Sequence, residues 1–278
     1  MHESLIRLSV FIAIIAGMAL LQGVYPRRKL ILAYHRWPAN LALVGVDIVL
    51  VRLLLPAGAL GVAIWADLAG FGLLNWFGIE GWVAVCVAIL LLDLLIYAQH
   101  RVFHAVPWLW RLHRVHHADQ EIDVSTGLRF HPIEILLSML IKMAAVALLG
   151  APVLAVLLFE MLLNGMAMFN HSNVRLPLGF DAALRRLVVT PDMHRVHHSV
   201  LPRETNSNFG FNLSIWDRLF HSYVAQPEHG HDGMRVGLSE FQSGRADSLK
   251  GLLIMPFLDS PPVMQHGGAQ DGDNSHQA

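Results

Sequence analysis

The chain has 278 residues, of which 54% are hydrophobic and 15% charged, against about 25% charged in an ordinary soluble domain, and its mean hydropathy is +0.47. Lipid rather than water is therefore the expected main solvent. The net charge of -1 gives no electrostatic case for a nucleic-acid partner, and the single cysteine, Cys86, excludes internal disulfides and a zinc site built on several cysteines. From the N-terminus, the first apolar run covers 5–24 and closes with Tyr25-Pro26 and the basic triplet Arg27-Arg28-Lys29. A bilayer takes about 20 apolar residues to cross, and no small-residue cleavage site follows, so a retained anchor is expected.

A second apolar stretch covers 41–66, interrupted by Arg52 and Pro56, and a third covers 82–99. The segment 133–168 is apolar apart from Lys142, Glu160 and Asn164, with Gly150-Ala151-Pro152 at its middle. That length with a breaker at the centre predicts a hairpin of two helices. The expected fold is all-α, a polytopic membrane bundle of about five spans carrying a histidine-rich helical cap. Three regions are expected: anchor helices over 1–81, a central unit over 82–224, and a C-terminal segment over 225–278 whose last part, 265–278, is polar enough to be disordered.

Basic residues in short loops are retained on the cytoplasmic side. The loop 27–36 is basic, 67–80 has no Lys or Arg, and Arg101, Arg111, Arg114 and Arg129 follow the third span. The stretch 100–131 and everything after His171 are then expected to be cytoplasmic.

Histidine is the residue in excess, 17 in all. Three clusters stand out: His100 and His104 in HRVFH, His113, His116 and His117 in HRVHH, and His194, His197 and His198 in a second HRVHH. Residues three and four apart share one helix face, so each cluster projects its rings to one side. A single HxxxH is often chance or an interfacial polar face. The same HRVHH string recurring on the same expected side is not readily explained that way. Eight imidazoles suffice for two metal ions, and imidazole alone suits iron, zinc, copper and nickel. Upstream, Asp93 and Tyr97 continue the helical face of His100 and His104. An acid inside a span is costly and has a partner, and a ligand histidine donates its second N–H to an acceptor. Asp93 is accordingly a candidate catalytic support, with helix packing as the alternative.

The pattern D-x3-Y-x2-H-R-x2-H from Asp93 to His104, HRVHH from His113, HPIE from His131, HSN from His171, TPDMHRVHHS from Thr190, and NFG with IWDRLF from Asn208 to Phe220 together resemble the fatty acid hydroxylase superfamily, which includes sterol desaturases, C4-methyl sterol oxidases and sphingolipid hydroxylases. The likeness covers 82–223. It implies a di-iron centre on the eight clustered histidines, with His171 the best ninth ligand. His131, before a proline, can equally cap a helix or orient a ligand. Asn208 and Asp217 can orient ligands or cap local structure. Many relatives end IWDRLF with Gly-Thr where this chain has His221-Ser222, which marks a local difference in geometry and makes His221 a candidate polar contact.

The resemblance implies an oxidoreductase in which two reduced irons use O2 to attack an unactivated C–H bond of a membrane lipid, giving a hydroxyl group or, by loss of a second hydrogen, a double bond. The substrate would enter laterally between the spans, an acyl lipid ranking ahead of sterols and carotenoids. The chain has no dinucleotide fingerprint, four-cysteine cluster or HPGG, so a separate electron-transfer protein and its reductase are expected, docking on a cytoplasmic cap offering Arg175, Arg185, Arg186 and Arg203. Zinc can occupy an iron site in a recombinant preparation. The main rival is a membrane zinc protein, a transporter or regulatory binder without redox chemistry, although a transport path would need ligands along the spans. A zinc hydrolase would need Glu134 or Glu160 as its base, since no HExxH is present.

Overall fold

The computed structural model describes residues 2–241 and 247–259; the expectation for 265–278 falls outside them. The described chain is built of helices, with only isolated β-bridges between segments. In chain order the principal helices are α1 (His2–Val24), α2 (Ala33–Leu54), α3 (Gly58–Leu68), α4 (Gly81–Ala105), α5 (Pro107–His117), α6 (Pro132–Leu149), α7 (Val153–His171), α8 (Leu178–Leu184), α9 (Pro191–His197) and α10 (Ile215–Leu219).

Four segments are long and apolar enough to cross a membrane: His35–Trp76, Gly81–Ala105, Pro132–Leu149 and Val153–His171. A shorter apolar run, Leu8–Val24, lies in α1, where the sequence reading expects a further span. The first segment is broken between α2 and α3 at Leu55-Pro56-Ala57, because proline removes an N–H and clashes with the preceding turn. The hairpin forms where the sequence places it: Gly150 ends α6 with φ of 63°, a left-handed value that glycine takes without steric cost, and Pro152 precedes α7.

The bundle has two distinct ends. At one, the loop before 73–76 lies on the α6–α7 turn: a Cβ on Gly72 would strike the backbone of Gly150 and the carbonyl of Ala147, so two glycines permit the approach. Between the ends, α3, α4, α6 and α7 share a core of Ala63, Ala88, Leu92, Val146, Val156 and Phe159. Small residues at these contacts let helices approach closely, which is how packing holds a bundle in lipid.

The other end carries the histidines and is tied by polar contacts. Arg27 N donates to Asn173 O at 2.8 Å and Arg175 N to Tyr25 O at 2.8 Å, joining the exit of α1 to that of α7. Arg36, fully buried, is paired with Asp119 and donates to Asp123 Oδ2 at 2.6 Å and Glu121 O at 2.7 Å. Arg129 Nε donates to Val115 O at 2.9 Å. A buried cation loses several kcal/mol of hydration, and these acceptors replace it while fixing the loop 118–129 against α2. Arg111 and Arg114 donate to the carbonyls of Met255, Pro256 and Leu258, clamping the C-terminal helical turns onto α5.

Candidate metal centre

Three helix ends and one helix exit bring nine histidines together. His100 and His104 lie in the last turns of α4; His113, His116 and His117 lie on α5; His194 and His197 lie on α9 with His198 as its C-terminal cap; His171 ends α7. Proline starts both α5 and α9, a position where its missing N–H costs nothing. The Thr190 side chain caps α9 by accepting from Met193 N.

The rings sort into two groups. His100, His104, His113, His117 and His197 form one, and His116, His171, His194 and His198 the other, with the candidate ligand atoms of each group within 4.8 Å of one another. All are buried except His104, which is partly exposed. The two HRVHH strings are split in the same way: His113 and His117, one turn apart, enter the first group and His116 the second, while His197 enters the first and His194 and His198 the second.

Which nitrogen faces inward follows from the other. His100 Nδ1 donates to Phe209 O at 2.8 Å, His113 Nδ1 to Glu134 Oε1 at 2.7 Å, His171 Nδ1 to Ala167 O at 2.6 Å and His197 Nδ1 to Ser207 O at 2.6 Å. His104 Nδ1 donates to Asn206 Oδ1 at 3.3 Å. A neutral imidazole has one N–H, so these rings turn bare Nε2 lone pairs to the centre. Burial away from water, reinforced by neighbouring rings, holds His116, His117, His194, His197 and His198 well below the ordinary histidine pKa, which keeps them neutral.

The inward nitrogens sit at 3.1 Å for His100–His113, 3.1 Å for His104–His117, 3.0 Å for His116–His171 and 2.9 Å for His171–His194. Two lone pairs at such a distance repel unless a cation accepts both. Metal–nitrogen bonds of about 2.0–2.1 Å put adjacent ligands roughly 3 Å apart, so the donor set fits two metal ions bound through nitrogen.

The supporting shell was only partly visible in the sequence. Glu134, the last residue of HPIE, is the carboxylate that orients a histidine ring, a role its motif marks but its spacing does not. Asp93 is buried and accepts from Trp216 Nε1 at 2.8 Å and Leu213 N at 3.2 Å, so its partner is the segment around α10. That segment reaches the centre through Asp217, which accepts from Phe209 N at 2.7 Å and Gly210 N at 2.8 Å and so aims the Phe209 carbonyl at His100. Ser222 Oγ donates to Asp217 Oδ1 at 2.7 Å and meets Tyr97 OH at 2.8 Å. Gly127 packs so tightly that a Cβ there would lie 2.5 Å from Ala167 O and 3.2 Å from His171 Nδ1.

His131 stays outside both groups: its Nδ1 accepts from Ile133 N and caps α6, while Nε2 donates to Leu253 O. His221 is exposed with φ of 57°, a left-handed conformation that suits the glycine of relatives, whereas Ser222 keeps a hydroxyl at the threonine position. Of the four arginines expected on the cap surface, Arg185 is corrected: it is buried, paired with Asp181 and donating to Ala225 O at 2.8 Å. Arg175, Arg186 and Arg203 are exposed.

The model of the fatty acid hydroxylase family matches residues 85–222. Among curated proteins, the chain is 32% identical over 143 residues to an ornithine lipid hydroxylase of Rhizobium tropici, covering 51% of this chain and 42% of that protein. It is 29% identical over 182 residues to the alkylglycerol monooxygenase of Homo sapiens, covering 65% and 39%. It is 28% identical over 145 residues to the cholesterol 25-hydroxylase of Rattus norvegicus, covering 51% and 47%. The chain thus spans less than half the length of each. No solved structure matches it.

Proposed function

Because this chain belongs, through residues 85–222, to the fatty acid hydroxylase family, we propose that it is a membrane-bound non-haem di-iron oxygenase that hydroxylates, or desaturates, a C–H bond of a lipid. The observation that carries this reading is the pair of histidine groups with facing nitrogen lone pairs at the end of four apolar helices. His100, His104, His113, His117 and His197 would hold one iron and His116, His171, His194 and His198 the other. Iron held by these residues would supply the O2 activation that attack on an unactivated C–H bond requires.

The protein's own residues do the positioning. Carbonyls of Phe209, Ala167 and Ser207 and the Glu134 carboxylate each take a histidine N–H, which fixes the tautomer that binds metal and raises the basicity of the ring. Asp93 supports the site through the segment at 213–217. Burial of every ring but His104 keeps bulk water from the centre, which limits side reactions there. The substrate is a membrane lipid entering laterally between the apolar helices, with an acyl lipid preferred. Electrons arrive from a separate ferredoxin or cytochrome with its reductase, docking on a surface that includes Arg175, Arg186 and Arg203. The basic loop 27–36 supports a cytoplasmic position for this end of the bundle.

A zinc hydrolase is disfavoured because both candidate bases already have partners, Glu134 holding the His113 N–H through Oε1 and Glu160 pairing with Lys142 at 2.8 Å. Comparative lipid mass spectrometry of cells with and without the gene tests the proposal. A gene-dependent lipid heavier by an oxygen atom or lighter by two hydrogens is expected, and unchanged lipids under oxygen with iron-loaded protein would contradict it.

A further inference from the structure

Residues 208–222 form a loop whose ends meet: Asn208 N donates to Ser222 O at 2.8 Å, and Asn208 Oδ1 accepts from Val224 N at 2.9 Å. Closed loops of this length pack on their own side chains. The body of the loop lies beside α4, held by the bonds from Leu213 and Trp216 to Asp93. At 1.5 Å per residue, Asp93 is roughly 10 Å deeper along α4 than His100 and about 18 Å from the end of that helix at Ala105.

At that level α4 presents exposed Leu90 and Leu91, the side chains expected to face acyl chains. The loop presents an apolar exterior of its own: Ile215 is 49% exposed, Leu219 59% and Phe220 41%. Non-helical backbone at hydrocarbon depth persists only where protein satisfies its polar groups, and Asp93 does this for the Leu213 N–H and the Trp216 indole. Arg218 lies 3.9 Å over the Tyr223 ring and donates to Arg185 O. An arginine with a tyrosine is the pair that settles at the headgroup level.

We propose that loop 208–222 is membrane-inserted, with Ile215, Leu219 and Phe220 in contact with the acyl chains of the leaflet nearer the histidine centre. Phe220 stacks on Tyr97 at 5.4 Å, and Tyr97 meets Phe209, which lies 5.6 Å from His100. The loop that meets the bilayer therefore also forms one wall of the metal centre. This inference does not depend on the oxygenase reading.

The test uses the full chain in vesicles of phosphatidylcholine and phosphatidylglycerol. A nitroxide is attached at Ile215→Cys or Leu219→Cys in a Cys86→Ala background, and its collisions with O2 and with a water-soluble nickel chelate are compared. Native Cys86, exposed on α4, gives the lipid-facing reference and Arg203→Cys the aqueous one. Both loop labels should match the Cys86 label, with an oxygen-to-nickel ratio about tenfold above that at position 203, because the chelate is excluded from hydrocarbon. A ratio like that at position 203, or shielding from both reagents, overturns the proposal. Should the cysteine variants fail to fold, the unsubstituted protein is crosslinked with a phospholipid carrying a diazirine in its acyl chain. The tryptic peptide 204–218 or 219–235 is expected to carry the label, and its absence from both overturns the proposal.

Discussion

His100 and His113 meet nitrogen to nitrogen at 3.1 Å while each gives its only N–H away, His100 to the Phe209 carbonyl and His113 to Glu134. The arrangement suits a cation between the rings, and the outward bonds set which nitrogen would face it. Glu134→Gln keeps the size of the side chain and removes the charge that holds the His113 N–H. Metal retention or turnover should fall by about 10- to 100-fold, with membrane insertion unchanged. Wild-type iron content and turnover in that variant would remove Glu134 from the support of the site.

His221 adopts φ of 57° without being glycine. A left-handed L-residue costs about 1–2 kcal/mol, partly offset by the entropy that glycine loses on folding. His221→Gly should therefore raise the thermal midpoint of the detergent-solubilised protein slightly, and His221→Val should lower it. The reverse order would show that the His221 side chain makes a stabilising contact.

Lys142 and Glu160 join α6 to α7 inside the membrane region at 2.8 Å. Removing one partner of a buried pair leaves a charge uncompensated, at a cost of about 3–5 kcal/mol. Lys142→Met should sharply reduce the yield of folded protein, and adding Glu160→Leu should recover part of it. Two losses that simply add would show that the residues do not act as a pair.

Reporters inserted after Lys29 and near Gly78 should lie on opposite sides of the membrane, Lys29 in the cytoplasm, because only the first loop is basic. A cytoplasmic reporter near Gly78 would contradict the orientation while leaving all nine histidines at one end.

The helical hairpin was legible because a glycine and a proline punctuate an otherwise apolar run, and the clusters because helical spacing is written directly in HRVFH and HRVHH. The allocation of those rings to two groups was not legible, since spacing shows which residues share a helix face and not which helices cross. The partners of His100, His171 and His197 are backbone carbonyls, which every residue possesses, so no residue type announces them. Glu134 and His113 are 21 residues apart and meet only when α5 packs on α6. Asp93 was visible as a costly intramembrane acid, but its partners, Leu213 and Trp216, arrive from more than a hundred residues downstream. The first 76 residues read as two spans, whereas Pro56 divides the second of them into α2 and α3.

Nine histidines from distant segments are proposed to act as one bimetallic oxygenase site. The most direct measurement is iron content and O2-dependent lipid oxidation in membranes for His116→Ala, His117→Ala, His197→Ala, His198→Ala and the His117→Ala/His198→Ala double variant, at matched expression. Each single change should lower bound iron and abolish product formation, and the double should cost little more than either single, because residues of one site act as a unit. Zinc substitution should silence the wild type, since zinc has no redox chemistry. Full activity in any single variant, or product formed without oxygen, would contradict the claim.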